Sequence, residues 1–186
     1  GGSAGPDGAD QAKGDQGERD AVRLLVGLAP DLVSVDKPSR MLSAGIPEDV
    51  GDVYVFSDVA IQVKVWKDLG GAIRSSAHGA AAQARNGSKP FAMGLVPVPR
   101  VPAASVKWLA CCLEWPDMTI QREEVARFGM PPALIAHLRN EKLGIPRARR
   151  IASLERKDHD PIIIAPIEAW IAAYRLARSS SLTSAS

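Results

Sequence analysis

Four polar residues have the side chains that hydrolysis at phosphorus requires: Glu18, Asp52, Gln62 and Lys64. A carboxylate with one or two further oxygens can hold Mg2+ beside a scissile phosphate. There the cation polarises the phosphoryl oxygen and lowers the pKa of a bound water. A lysine at the same place can orient that water or stabilise the charge that builds on phosphorus. On this reading Asp52 is the central carboxylate, Glu18 completes the metal shell and Lys64 serves the phosphate. Each residue also has an ordinary explanation. Glu18 stands three residues after Asp15, the spacing of a capping box. Asp52 after Gly51 can be a turn carboxylate, and Lys64 can guard an edge strand against aggregation. Gln62 alone carries no signal.

The elements that must position these residues can be read from periodicity. Ala21, Leu24, Leu25 and Leu28 have the spacing of one buried helix face, so a helix is expected from about Asp15 until Pro30 closes it. Gly51–Val55 and Val59–Trp66 read as two strands of a hairpin, with Ser57 and Asp58 in the turn. Alternation on the second strand puts Gln62, Lys64 and Trp66 on one face and Ile61, Val63 and Val65 on the other. A lysine beside so apolar a sheet is costly to bury without an anionic partner, and Asp52 is the local candidate. The register decides whether they meet. A three-residue loop, Phe56-Ser57-Asp58, pairs Val55 with Val59 and sets Asp52 opposite Gln62. A two-residue loop moves Asp52 to the other face and breaks the cluster, unless a bulge compensates.

Beyond the hairpin, residues 71–85 are Ala-rich and helix-prone, with Asn86-Gly87 as a stop. Phe91–Val96 and Val106–Leu113 read as strands, separated by a loop that holds Pro97, Pro99 and Pro102. After Pro116 short helices are expected at about Ile120–Phe128, Ala133–Glu141 and Ile167–Arg178. Glu124–Gly129 followed by Leu134–Arg139 hints at a helix-turn-helix, with Arg147, Arg149 and Arg150 as a basic wing. The other reading is a small helical cap, or a dimerisation element through Trp170, Ile171 and Tyr174. The expected organisation is a lead-in or linker over 1–13, a core over 14–116, a helical module over 117–178 and a disordered tail over 179–186. The opening Gly1-Gly2-Ser3, without an initiator methionine, is expected to be a cloning scar and not a signal peptide.

Charge is uneven along the chain. Residues 1–60 hold 5 Lys/Arg against 11 Asp/Glu, whereas residues 61–186 hold 18 against 10. A basic second half favours a polyanionic partner, although basic clusters are also ordinary solvated faces. Arg74, His78 and Arg85 can line one helix face towards a phosphate backbone. His137 and His159 have no partners at metal-ligand spacing. Trp66 can stack on a base or simply pack. The two cysteines are the neighbours Cys111 and Cys112, which in a strand point to opposite faces and cannot share a metal. They do not form the framework of a secreted disulfide domain, so a reducing, cytoplasmic setting is expected. No apolar run approaches the roughly 20 residues that cross a bilayer, and no membrane association is expected.

Glu18 in Gly17-Glu18-Arg19-Asp20, then Gly51-Asp52-Val53, then Ile61-Gln62-Val63-Lys64 resemble the PD-(D/E)xK nuclease superfamily. The nearer likeness is to phage and actinobacterial Holliday-junction-resolvase-like proteins. It spans roughly residues 14–115 and includes the helix with Gln83 and the Lys107-Trp108-Leu109 strand. The resemblance implies an α/β fold with a restriction-endonuclease-like mixed central sheet flanked by helices. The core would be of αβββαβ type, with the small helical module following it. It also implies Mg2+, with Mn2+ able to substitute, held by Asp52, Glu18, Gln62 and the Val63 carbonyl. Lys64 is the catalytic lysine of this pattern. DNA, duplex or branched, is the implied partner, with Gln83 and Arg100 added to the contacts above. Cleavage of four-way junctions further implies a homodimer, because two active sites must face opposite strands. The bacterial or phage-infected cytoplasm is the implied location. One departure is plain: the second acidic position is Gln62, and an amide is a weaker ligand for hard Mg2+ than a carboxylate. That departure motivates a second expectation, a catalytically silent DNA-binding or assembly protein on the same fold.

Overall fold

A computed structural model describes residues 6–40, 53–102, 105–117, 119–120 and 124–184. The chain forms an α/β fold around one mixed sheet. Its strands are β1 (Ser39–Arg40), β2 (Val53–Tyr54), β3 (Val59–Val63), β4 (Phe91–Pro97), β5 (Trp108–Cys112), β6 (Ala126–Phe128), β7 (Ala152–Leu154) and β8 (Ile162–Pro166). The helices are α1 (Pro6–Leu28), α2 (Leu69–Asn86), α3 (Pro131–Leu138) and α4 (Ile167–Ser184). Across the sheet the order is β1-β2-β3-β4-β5-β8-β7-β6. The β3–β4 and β6–β7 pairs are parallel and the others antiparallel.

Each face of the sheet carries a core. On one side α1 and α4 cover Ile61, Val63, Met93, Leu95 and Cys112, with Ala21, Leu25, Trp170 and Tyr174 packed among them. On the other side α2 and α3 cover Val96, Leu109, Cys111 and Ile164 with Ile73, Ala77, Leu134 and Leu138. Cys111 and Cys112 thus point to opposite faces, as strand alternation requires. Burial drives both thiols upward, Cys111 to about 12, so neither is a thiolate at neutral pH.

The register of β2 on β3 pairs Val53 with Ile61. This is the register of the three-residue loop, with Val55 set opposite Val59. The composition of α2 follows from how close it lies to the sheet. A side chain on Gly94 of β4 would meet Ser76 Oγ at 2.4 Å and the Ser76 backbone at 2.7 Å. A helix of alanine, serine and glycine on its sheet-facing side is what such contact permits.

Three expectations are corrected. The first helix begins at Pro6, not near Asp15, so residues 6–13 belong to α1 and Glu18 lies in its interior, outside any capping box. Pro6 suits the first helical position, and the Ala/Gln/Lys run behind it carries the helix past Gly14. The stretch after Pro116 is not wholly helical. Residues 126–128 are strand, and β7 and β8 join the same sheet, because pairing with existing strands overrides local helix propensity. With 126–128 in a strand there is no helix-turn-helix. Finally, α4 continues through the expected disordered tail to Ser184, with Ser179, Ser180, Ser181 and Thr183 hydroxyls bonded to carbonyls four residues earlier. Among the described residues no helix is long and apolar enough to cross a membrane.

Candidate functional site

The end of β3 is where the sequence places chemistry. The Lys64 backbone N–H donates to Leu95 O at 3.2 Å, so this residue stays tied to β4 although β3 itself ends at Val63. On the other side, α1 crosses the strand end at Gly17. A side chain there would come within 2.3 Å of Val65 Cγ2, so glycine is what allows the helix to lie against the strand. Glu18, the next residue, therefore stands over the strand end. It lines a cleft of about 560 Å3 with Lys13, Val63, Lys64, Trp66 and Lys67.

The cleft is polar and cationic. Three lysines, Lys13, Lys64 and Lys67, line it together with one carboxylate, that of Glu18. Trp66 is 47% exposed at its rim, and Lys64 Nζ lies 6.0 Å from the indole centroid. At that distance a cation–π attraction, worth about 0.5–1 kcal/mol on an exposed surface, helps hold both side chains. Among the described residues the side chains that line the cleft offer a hard cation one carboxylate, that of Glu18. Mg2+ commonly binds through one or two carboxylates and keeps several waters, so this donor set fits it. Among the described residues no group of three His, Cys, Asp or Glu side chains converges on one point. Asp52 lies outside the described residues.

Gln62 sits elsewhere. It is 6% exposed, and a side chain on Gly79 of α2 would meet its Oε1 at 3.0 Å. The amide is packed under α2 and does not line the cleft. Strand alternation gives the reason, since residue 62 faces α2 while Ile61 and Val63 face α1. Of the expected catalytic residues, Glu18 and Lys64 therefore come together, with Val63 beside them.

The expected DNA-contact residues separate into three groups. Arg74 and His78 are accessible on α2, and Arg100 is exposed in the loop after β4 with a left-handed φ of 57°. Arg85 is exposed at the far end of α2 and lines a different cleft with Lys89 and Glu114. Gln83 and Arg150 are buried, which corrects their reading as surface contacts. Gln83 is 8% exposed on the sheet side of α2.

Arg150 is 4% exposed and acts as a clamp. Its Nε donates to Ile145 O at 2.7 Å and its Nη1 to Leu138 O at 3.1 Å, while Nη2 reaches Glu141 Oε2 at 2.6 Å. Arg147 also donates to Glu141, at 3.2 Å. The hydrogen bond from Arg150, with Arg147 beside it, holds the Glu141 carboxyl down at about 2. Arg149 remains exposed and borders a separate hollow with Ala173 and Leu176.

Sequence reasoning missed a second cationic cleft beside the first. It measures about 590 Å3 and is bordered by Lys67, Arg74, Arg139 and Arg156. Lys67 borders both clefts. These four cations come from separate stretches of chain, so no local run announced them. Comparison with protein-family models, with curated proteins and with solved structures gave no match to this chain.

Proposed function

We propose that this protein is a metal-dependent DNA endonuclease of the PD-(D/E)xK type, and that the α/β sheet is its nuclease core. The observation that carries this reading is that Glu18 of α1 and Lys64 at the end of β3 line one cleft. The motif order demands that meeting, and no local feature of the sequence produces it.

Glu18 and Asp52 would hold Mg2+ or Mn2+, with the Val63 carbonyl as a further oxygen. Bound there, the cation would supply Lewis acidity and an acidified water. Lys64 acts on the phosphate, where its ammonium stabilises the charge that develops on the non-bridging oxygens. Trp66, exposed at the rim, offers an aromatic face to a sugar or base. Gln62 supports the strand against α2. Branched DNA is the proposed substrate, cut by a homodimer whose two sites face opposite strands. That last step rests on resemblance alone.

The test incubates the protein with four-way junction, duplex and single-stranded DNA, in Mg2+, in Mn2+ and in chelator. We expect cutting of junction DNA that needs the metal and falls roughly 100- to 1,000-fold in Lys64→Ala, the usual loss for one transition-state contact. Asp52→Ala should lose at least as much. Cutting that survives both substitutions would sink the assigned site.

One observation favours a second reading, a DNA-binding or assembly protein without catalysis. The position that carries an acid in the motif holds an amide, and that amide is buried under α2. Tight, salt-sensitive binding without cutting in either metal would decide for it.

A further inference from the structure

The cleft between α2 and α3 has a composition that the catalytic reading does not explain. Its cationic border is Lys67 after β3, Arg74 on α2, Arg139 just past α3, and Arg156 after β7. Asp68 is the one carboxylate that borders it among the described residues. Among the described residues none of the four cations forms an ion pair with a carboxylate. Arg139 is instead aimed by a neutral partner, its Nε donating to Ser105 Oγ at 3.1 Å. The floor is tight: a side chain on Gly70 would meet Pro131 Cγ at 3.3 Å and Arg74 Nη1 at 3.4 Å.

Unpaired cations gathered in a concave surface repel one another, and the low-dielectric floor sharpens their field. Such an arrangement is stabilised by a polyanion laid along it. Three of the four are arginines, whose planar forks suit phosphate oxygens. A flat membrane cannot follow a concavity, whereas a duplex backbone can.

We propose that this cleft is a binding groove for the phosphodiester backbone of duplex DNA, continuous through Lys67 with the cleft that holds Glu18 and Lys64. The inference takes the identity of the polyanion from the nuclease reading. Its geometry is independent of that reading. The groove would hold the arm of the substrate that leads away from the scissile phosphate. It joins residues before Pro116 to residues after it, which gives the C-terminal third of the chain a role in substrate binding.

The test is fluorescence anisotropy with a labelled duplex of about 30 base pairs, in chelator, over a series of salt concentrations. The variants are Arg74→Glu/Arg156→Glu, the milder Arg74→Gln/Arg156→Gln, Arg139→Gln, and Arg23→Glu, an exposed position on α1 outside the groove. Thermal melts select the folded ones. The charge-reversed pair should weaken binding about 10- to 100-fold and reduce the slope of log K against log salt by roughly 2, the release expected for two phosphates. The neutral pair should show the same change in slope with a smaller loss of affinity, and Arg139→Gln a slope change of about 1. Arg23→Glu should change affinity less than about threefold.

Unchanged affinity and slope in the folded groove variants overturns the proposal. So does an equal loss in Arg23→Glu, which would mark a general charge effect, and so does tighter binding to duplex RNA of the same length. Cutting in Mg2+ is assayed on the same proteins. If the parent never cuts but the groove variants lose binding, the nuclease reading fails and the groove stands. If the parent cuts and the variants bind like it, the groove fails alone.

Discussion

At the position of Gln62 the neighbours of a single amide decide its chemistry. Gln62 is buried against Gly79 of α2, so a carboxylate there would be desolvated rather than offered to a metal. We expect Gln62→Glu to cost about 1–3 kcal/mol at pH 8. Burial would raise the folded-state pKa of that glutamate above its unfolded value, so the loss should shrink as pH falls towards 4. Denaturant melts at both values check this. A variant as stable as the parent, with stronger metal-dependent cutting, would mean that residue 62 faces the ion after all. Arg150 makes the opposite case of a charge that belongs inside. Arg150→Met removes its bonds to Leu138 O, Ile145 O and Glu141, and should cost about 1–3 kcal/mol. Because the Glu141 pKa is depressed in the folded state, the tie it makes is complete above its ordinary 4.5 and is lost as pH falls through about 2. Amide protection, exchange relative to the unfolded rate at each pH, should fall across residues 139–150 over that acid range in the parent. It should fall much less in Arg150→Met.

Helices and strands meet in this protein through missing side chains. Gly17 lets α1 touch Val65, and Gly94 lets α2 touch β4 at Ser76. Gly94→Ala places a methyl group against backbone that cannot yield, and should cost about 1–3 kcal/mol. For a chain of 186 residues that lowers Tm by about 2–4 °C per kcal/mol. An unchanged melt would show that α2 can lift from the sheet. Elements of this kind were partly legible in the sequence. The apolar period of α1, the Ala-rich run of α2 and the hairpin turn at Ser57-Asp58 each predicted an element that exists. The register of β2 stayed open between two loop lengths in the sequence, and the pairing of Val53 with Ile61 is that of the three-residue loop. What stayed hidden was non-local. Residues 126–128 had the pattern of a helix end and became a strand because β7 was there to pair with. Ile162-Ile163-Ile164-Ala165, flanked by Pro161 and Pro166, did carry the mark of a buried strand. The packing of Gln62 on a glycine, and a cleft assembled from four separate cations, have no one-dimensional signature.

Across the whole molecule the sheet ignores the change of composition at Pro116. β8 lies beside β5 in the interior of the sheet, and α4 delivers Trp170 and Tyr174 to the core that holds Phe56 and Ile61. The Tyr174 hydroxyl donates to Asp58 in the β2–β3 turn, and Arg175 pairs with Asp31 just past α1. The last helix thus fastens the first third of the chain. A fragment ending at residue 116 would leave β5 without β8, one of its two neighbours, and one face of the sheet half covered. We expect that fragment to be aggregated or molten, with exchange protection lost across β3 and β4, whereas the full chain should melt in a single transition. Independent folding of the fragment would show that the two parts are separable.

The placement of β8 and α4 also has a consequence for how the protein is made. On a ribosome, β3, β4 and β5 emerge long before the strand and helix that complete them. Their apolar faces must wait uncovered while some 50 further residues are added, a delay of several seconds at ordinary elongation rates. Premature termination near the 3′ end of the message would therefore yield aggregation-prone chains in place of a shortened but folded protein.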